Sequence, residues 1–519
     1  MDIRMGNSAR RALAVGWFVA LAVIAATSTV ALRSAPGESS PVEASYLRAR
    51  SVLDAGVKAL GKVPNDVTFH IGGKLYMRQQ SPSSSETVNT PLTGNLELDM
   101  AGSRVAWDVQ ASFPGGFRVD QGIRIVGDKN TFLNHQLKTS FPAPGPAANA
   151  LEIFQNRIPH SLLARADQRA ATLRWIGEAD FRGRRHNVIS FATVNGTQIA
   201  LWFDAQTNIL SKSEQLISDP YLGDAVNEFI IKGWQTIGEY KFPTGQVLVT
   251  GGEMAQDFDY SDVRLNAKPA EAAFAIPQGY EAQPLPNVPL NVHKLADDVY
   301  LIEGMGPQGA YSSLAVAFND YVLVVEAPIG DAVVKTLLEK VRETIPGKPI
   351  RYVALTHHHS DHAGGIRTVI AEGITVVTTP GNVRYFETTA GRRFTLPPDE
   401  LQLKSAKPKF ETVTGHKRAF TDGAHTVELI DIGPSPHANE MLIVWLPKER
   451  ILFEGDQFFK NPDNSTAPAV ATTFHFVNTL AKLGIDPQTF VGVHQRVYSR
   501  QDLQASLDLA RKNGTAVGQ

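Results

Sequence analysis

The sequence predicts two unlike parts: a mostly antiparallel β region over residues 45–277, then an α+β domain of layered αββα type over 290–519. Three observations carry this prediction. Between Asp66 and about Phe274, short runs rich in β-branched and aromatic residues recur between turn-forming clusters, the pattern of an antiparallel sheet. From Val299 onward, strand, helix and strand follow one another, which fits sheets stacked in layers with helices outside. Between the two, residues 278–289 carry Pro284, Pro286 and Pro289 and read as a semi-rigid linker. A chain of 519 residues is in any case too long for one ordinary domain.

The elements can be justified in chain order. Arg4, Arg10 and Arg11 precede an apolar run over 12–32, so residues 1–33 have the form of a secretory signal. Cleavage would fall near Ala26 to Ser28 or Thr29 to Ala31; the run is also long enough to span a bilayer, which leaves an uncleaved N-terminal membrane anchor as the rival reading. Either way the bulk of the protein is expected outside the cytoplasmic membrane, exported to a periplasmic or extracellular compartment. Residues 34–44 read as a flexible leader, and 45–61 as a helix through Leu47, Val52, Leu53, Val57 and Leu60. Strands are expected at 68–71, 74–77, 95–100, 199–204 and 246–250, with an apolar helix interrupting them over 147–165. In the second part, strands are expected at 299–302, 313–318 and 321–326. A helix follows over 331–343, marked by Val333, Leu337, Leu338 and Val341, then strands at 352–355 and 375–379.

Composition excludes more than it assigns. A net charge of −2 gives no global electrostatic reason to bind nucleic acid or anionic lipid. Cysteine is absent, so disulfides, thiolate ligands and cysteine nucleophiles are all excluded. Oligomeric state is left open.

The most specific stretch is Thr356 to Gly365, which follows the apolar run 352–355 and so leaves a buried strand at its C-terminal end. Four imidazoles and a carboxylate stand within six residues: His357, His358, His359, Asp361 and His362. His357 and His359, two apart on an extended segment, can point the same way, and Asp361 and His362 can face a second point after the chain turns. That is a layout for two adjacent divalent metals. Further ligands are needed, and candidates stand at later strand exits: His437 in a Gly/Pro-rich loop, Asp456 after an apolar strand, His494 after another. Taken singly, each has a plain reading as a loop histidine or a turn former. Their joint recurrence argues for a site.

With these residues the region from 290 to the C-terminus resembles the metallo-β-lactamase-fold hydrolases, whose signature H-x-H-x-D-H is matched by residues 357–362. The resemblance implies that His357, His359 and His437 hold one metal, that Asp361, His362 and His494 hold a second, and that Asp456 bridges them. His358 falls on a variable position. Glu326 stands where the family often has Asp, and behind the ligands it would orient an imidazole or the chain supporting it. Gln495 replaces the usual glycine after the last histidine. In the first part, residues 201–208 and 240–244 look similar to the curved half-barrel of periplasmic lipoprotein carriers, which would imply a concave face for an acyl or other apolar group. A structural or docking domain without a ligand is the alternative there.

The resemblance implies an exported binuclear hydrolase, in which two metals sharing a water provide hydroxide at working pH to attack a small-molecule acyl substrate. Asp361, beside that water, can also take up the proton. An ester, lactone or thioester is expected, because Asp456 is usually lacking in β-lactamases proper and the helical domain that grips glutathione in related thioesterases has no counterpart after His494. Imidazole and carboxylate ligands suit Zn, Fe and Mn alike, with Zn2+ the leading expectation. Two further classes compete: a β-lactamase-like amide hydrolase or iron-dependent sulfur dioxygenase on the same fold, and a lipid-binding carrier whose metal domain is vestigial.

Overall fold

Ser40 starts the first helix. Its hydroxyl accepts the Glu43 N–H at 3.2 Å, and Pro41 occupies the first helical position, where its missing N–H leaves nothing unpaired. The helix runs Pro41–Leu60, so the end of the expected leader over 34–44 is helical, a correction that this cap explains. The computed structural model describes residues 39–113, 118–143, 145–284, 289–306, 309–461, 464–494 and 497–514. The expected signal or anchor over 1–33, residues 34–38 of the leader, residues 285–288 of the linker and Gln495 lie outside the described residues. Among those described, no helix is long and apolar enough to cross a membrane.

The first part is one sheet of fourteen strands. Asp66–Tyr76 and Glu253–Leu265 pair antiparallel at its middle, and two meanders extend outward from them to Thr139–Pro142 on one side and Arg174–Phe181 on the other. What reads in sequence as two strands, 68–71 and 74–77, is one, because Gly72 and Gly73 keep pairing with both neighbours. The helix expected over 147–165 is two, Ala147–Asn156 and Pro159–Gln168, broken where the proline disfavours helical geometry for Ile158 before it. Phe154 and Ile158 pack with Phe69, Leu96, Phe242 and Tyr260 over one half of the sheet. Leu53, Leu162 and Leu163 pack with Phe191, Leu201 and Phe203 over the other half. Each such side chain contributes about 1.5–3 kcal/mol by leaving water. Past the helix Glu271–Phe274, Glu281–Ala282 pairs parallel with Thr139–Pro142, so the start of the linker lies along the sheet edge.

The second part has two sheets face to face. A seven-stranded mixed sheet runs from Asn291–Ala296 at one edge through Val322–Val325, Ile350–Ala354 and Thr375–Thr378 to Phe410–Thr412. A six-stranded sheet holds Thr426–Asp431, Leu442–Leu446, Ile451–Glu454 and Thr489–Gly492 among its members. Val316, Leu323, Val325, Leu429, Val444 and Phe453 fill the layer between them. The outer face of the first sheet is covered by Asp331–Thr344 and Ile366–Ala371, and that of the second by Ala471–Leu483 and Arg500–Lys512, the last opened by a Ser499/Asp502 capping box. This is the expected αββα arrangement.

The two parts touch directly. Asp224 accepts the backbone N–H and hydroxyl of Thr395 at 2.8 and 2.6 Å, and Pro82 O accepts the Asn439 N–H at 2.8 Å. A cavity of about 660 Å³ remains between them, walled in part by Arg78, Tyr221, Arg384 and Tyr385.

Candidate metal centre

All seven predicted ligands stand just past strand ends on one side of the paired sheets. Ile350–Ala354 runs parallel beside Val322–Val325 and delivers Thr356 to His359 from its C-terminal end. Thr426–Asp431 leads to His437, Ile451–Glu454 to Asp456, and Thr489–Gly492 to His494. The structure brings them into two groups whose donor atoms all lie within 4.8 Å of one another. One is His357, His359, His437 and Asp456; the other is Asp361, His362, Asp456 and His494.

The turn after His359 depends on close backbone approach. Ser360–Ala363 forms one helical turn, strapped down by Ala327 N donating to His362 O at 2.8 Å and Gly365 N to Ala327 O at 3.0 Å. A Cβ on Gly364 would lie 2.3 Å from Ser360 O and 2.5 Å from Ile329 O, so only glycine fits there. The strap itself is strained: Glu326 and Ile329 hold φ of 79° and 70°, a region non-glycine residues rarely occupy.

Glu326 is 1% exposed and sits directly behind the ligands. Its Oε1 receives the Thr356 hydroxyl at 2.5 Å and lies 3.2 Å from His362 Nδ1, while Oε2 accepts the Thr356 N–H at 3.3 Å. With its proton given to Glu326, the Thr356 oxygen is left to accept from His357 Nδ1 at 3.0 Å. One carboxylate therefore orients a ring in each group and turns both Nε2 atoms towards the centre. His359 is turned the other way, its Nε2 donating to the Ser81 carbonyl at 2.8 Å.

The inner atoms face one another without ordinary partners. His357 Nε2 and His437 Nε2 lie 3.2 Å apart, and His359 Nδ1 is buried with no hydrogen bond. Asp456 Oδ2 is 3.0 Å from His437 Nε2, and Oδ1 is 3.1 and 3.2 Å from Nε2 of His362 and His494. Asp361 Oδ2 is 3.0 Å from His494 Nε2. Burial, then the neighbouring imidazoles, push His357 and His359 well below the usual histidine range, so both are neutral. Burial opposes charge on His494 and on Asp456 as well. There the opposite charges win: the two carboxylates raise His494 to about 9, and three facing imidazoles hold Asp456 well below the carboxylate range. Imidazole nitrogens and ionised carboxylate oxygens converge on two points, each with a buried ring nitrogen that lacks a hydrogen-bond partner, His359 Nδ1 in one and His362 Nε2 in the other. This donor set fits divalent cations, which would displace the protons that the carboxylates hold on His362 and His494.

His358 points elsewhere, its ring edge-on to Tyr385 with centroids 5.3 Å apart. Tyr385 also walls the cavity, which thus lies behind the histidine-rich loop and not over the ligands. On the ligand side, Tyr311 meets His494 edge-on at 4.8 Å and Phe459 stands 6.2 Å away. Burial, then the charges of Asp361 and Asp456, raise the Tyr311 phenol so that it keeps its proton at neutral pH. Sequence reasoning missed Tyr311, Thr356 as a relay, and Gln80 and Ser81 of the first part. Nothing local to those residues distinguishes them.

Residues 308–512 match the family model described as the metallo-beta-lactamase superfamily, and the C-terminal domain has the metallo-beta-lactamase fold. A curated relative, the 2,4-dinitroanisole O-demethylase subunit alpha of Nocardioides sp., is 25% identical over 204 residues, 39% of this chain and 57% of that protein. The chain thus matches little more than half the length of that relative. Among solved structures, the mono-zinc form of the metallo-beta-lactamase FIM-1 from Pseudomonas aeruginosa is similar at 18% identity and TM-score 0.34, covering 44% of this chain and 98% of its own. A metallo-beta-lactamase from Pontibacter korlensis is 20% identical with TM-score 0.33, over 43% and 99% of the two chains. One from Hirschia baltica is 20% identical with TM-score 0.32, over 43% and 98%.

Proposed function

We propose that the protein is an exported binuclear metal-dependent hydrolase that cleaves an ester, lactone, thioester or related acyl bond. The observation that carries this reading is the pair of ligand groups sharing Asp456. His357 Nε2, His359 Nδ1, His437 Nε2 and Asp456 Oδ2 would hold one cation; Asp361 Oδ2, His362 Nε2, His494 Nε2 and Asp456 Oδ1 would hold the other. When bound, two such cations supply a water acidified towards neutrality and Lewis-acid polarisation of a carbonyl oxygen. Asp361, ionised and facing the centre, is placed to orient that water by accepting a hydrogen bond from it. The protonated Tyr311 hydroxyl offers a hydrogen-bond donor on the same side, where an acyl oxygen gathers charge. Burial of His357, His362 and Asp456 keeps bulk water from competing for these groups.

A second reading, cleavage of an aryl ether carbon–oxygen bond, is favoured by the similarity to a 2,4-dinitroanisole O-demethylase subunit. One experiment separates the readings. Metal analysis of the pure protein is expected to give two equivalents of a divalent metal. Turnover of chromogenic esters and lactones that chelators abolish supports the acyl hydrolase, whereas turnover of 2,4-dinitroanisole alone or of a cephalosporin alone replaces it. Oxygen uptake by an iron form would point to a dioxygenase. Less than one equivalent of metal, with co-purified lipid, would sink catalysis altogether. Export is tested by the N-terminal mass of protein recovered from outside the cytoplasm.

A further inference from the structure

We propose that Gln80, supplied by the β-rich first part, is a positioning residue for Asp361, and that the excursion over 77–88 completes the surroundings of the metal centre. The proposal rests on reading the seven ligands as such a centre.

Gln80 Nε2 donates to Asp361 Oδ1 at 2.7 Å and lies 3.1 Å from Ser360 Oγ. The other oxygen of Asp361, Oδ2, is the one facing His494 Nε2. A carboxylate on a single flexible bond can present either oxygen; a donor fixed on one of them decides which is presented and in what plane. The next residue acts on the other group. The Ser81 carbonyl takes the Nε2–H of His359, which places that ring's lone pair on Nδ1, the buried atom with no other partner. Two consecutive residues, distant in sequence, thus set one ligand atom in each group.

The excursion is built to hold this position. Ser81 is 2% exposed, and its hydroxyl donates to Met77 O and accepts the Val88 N–H, both at 3.0 Å. Pro82 O accepts the Asn439 N–H two residues past His437, so the loop is tied to two of the ligand-bearing segments. The first part is therefore a working component of the centre and more than a tethered neighbour.

The test uses the full chain, stripped of metal and titrated with Zn2+ by calorimetry, with the Co2+ absorption spectrum followed in parallel. Gln80→Leu removes the donor at similar volume, and Gln80→Glu replaces it with a group that cannot donate when ionised. Each is expected to weaken one of the two binding steps by about 10- to 100-fold, leave the other unchanged and alter the Co2+ spectrum. The thermal midpoint of the metal-free protein should stay at the wild-type value. Wild-type affinities for both ions in both variants would overturn the proposal. So would equal weakening of both steps together with a lowered metal-free midpoint, since that is a folding role. A wild-type chain that takes up no metal would overturn the metal-centre reading itself, and this inference with it.

Discussion

Glu326 Oε1 lies 3.2 Å from His362 Nδ1, with both side chains closed off from solvent. The same carboxylate reaches His357 through the Thr356 hydroxyl, so a single acid group fixes ring orientation in both ligand groups. Glu326→Ala should therefore weaken both binding steps, each by about 10- to 100-fold, whereas a residue serving one group alone would affect one step. Equilibrium dialysis with Zn2+ measures this. Glu326→Gln should be intermediate, because an amide oxygen can still accept from Thr356. Unchanged uptake by the alanine variant would show that the rings need no such support.

Asp456 faces His362, His437 and His494 at 3.0 to 3.2 Å and is the one residue common to both groups. Asp456→Ala should lower the metal content from two equivalents to one at most. Acyl turnover should fall by several orders of magnitude, since bridging and charge are lost together. Asp456→Asn keeps the shape with one oxygen and no charge, and should retain more metal than the alanine variant. Full metal loading of Asp456→Ala would remove the bridging role.

The cluster of candidate ligands was legible in sequence because its members gather where short apolar strands give way to loops, so that local pattern and chemistry coincide. His357 to His362 form one recognisable run, His437 stands in a Gly/Pro-rich loop, and Asp456 and His494 each follow a short apolar run. Among the supports Glu326 was legible as an acid group behind the site, but the docking loop of the first part was not, for a physical reason. Gln80 meets Asp361 across 281 residues of sequence, and nothing in a polar Ser/Gln/Pro loop distinguishes one that docks from one that is solvated. The Glu326 strap is similar, because its left-handed φ is imposed by the fold around it and leaves no mark in composition. Helix ends were misplaced where single residues decide. Ser40 and Pro41 begin the first helix early, and Pro159 divides a stretch whose apolar content looks continuous. The fourteen-strand order was likewise hidden, since it requires Asp66–Tyr76 to pair with Glu253–Leu265.

Gly364 and Gly365 should be intolerant of alanine to different degrees. At Gly364 a Cβ meets two backbone carbonyls, at 2.3 and 2.5 Å, and neither can yield without moving the turn that carries His362. At Gly365 it meets the Val334 side chain at 2.2 Å and Gly330 O at 2.9 Å, so part of the obstacle can be trimmed. Gly365→Ala should cost about 1–3 kcal/mol in denaturant unfolding, and pairing it with Val334→Ala should return part of that loss. Gly364→Ala should cost more, with no such rescue, and should lower metal affinity. Equal effects, or full rescue at Gly364 by trimming side chains, would contradict the backbone argument.

His160 gives the first part a pH response of its own. It is 2% exposed, its ring stacked on Phe242 at 6.2 Å, and burial pushes it down to about 4 from the ordinary 6.5. Because the folded state binds the proton less readily than the unfolded chain, its contribution is complete above about pH 6.5. That contribution is lost as pH falls from there towards 4, amounting to about 3 kcal/mol at the acid end. His160→Leu, which cannot protonate, should flatten the fall in unfolding midpoint between pH 7 and pH 4.5 relative to the wild type. Comparing the two proteins free of metal keeps the ligand histidines, common to both, from entering the difference. Parallel midpoint-against-pH curves would mean that the His160 ring is protonated as easily in the folded chain as in the unfolded one.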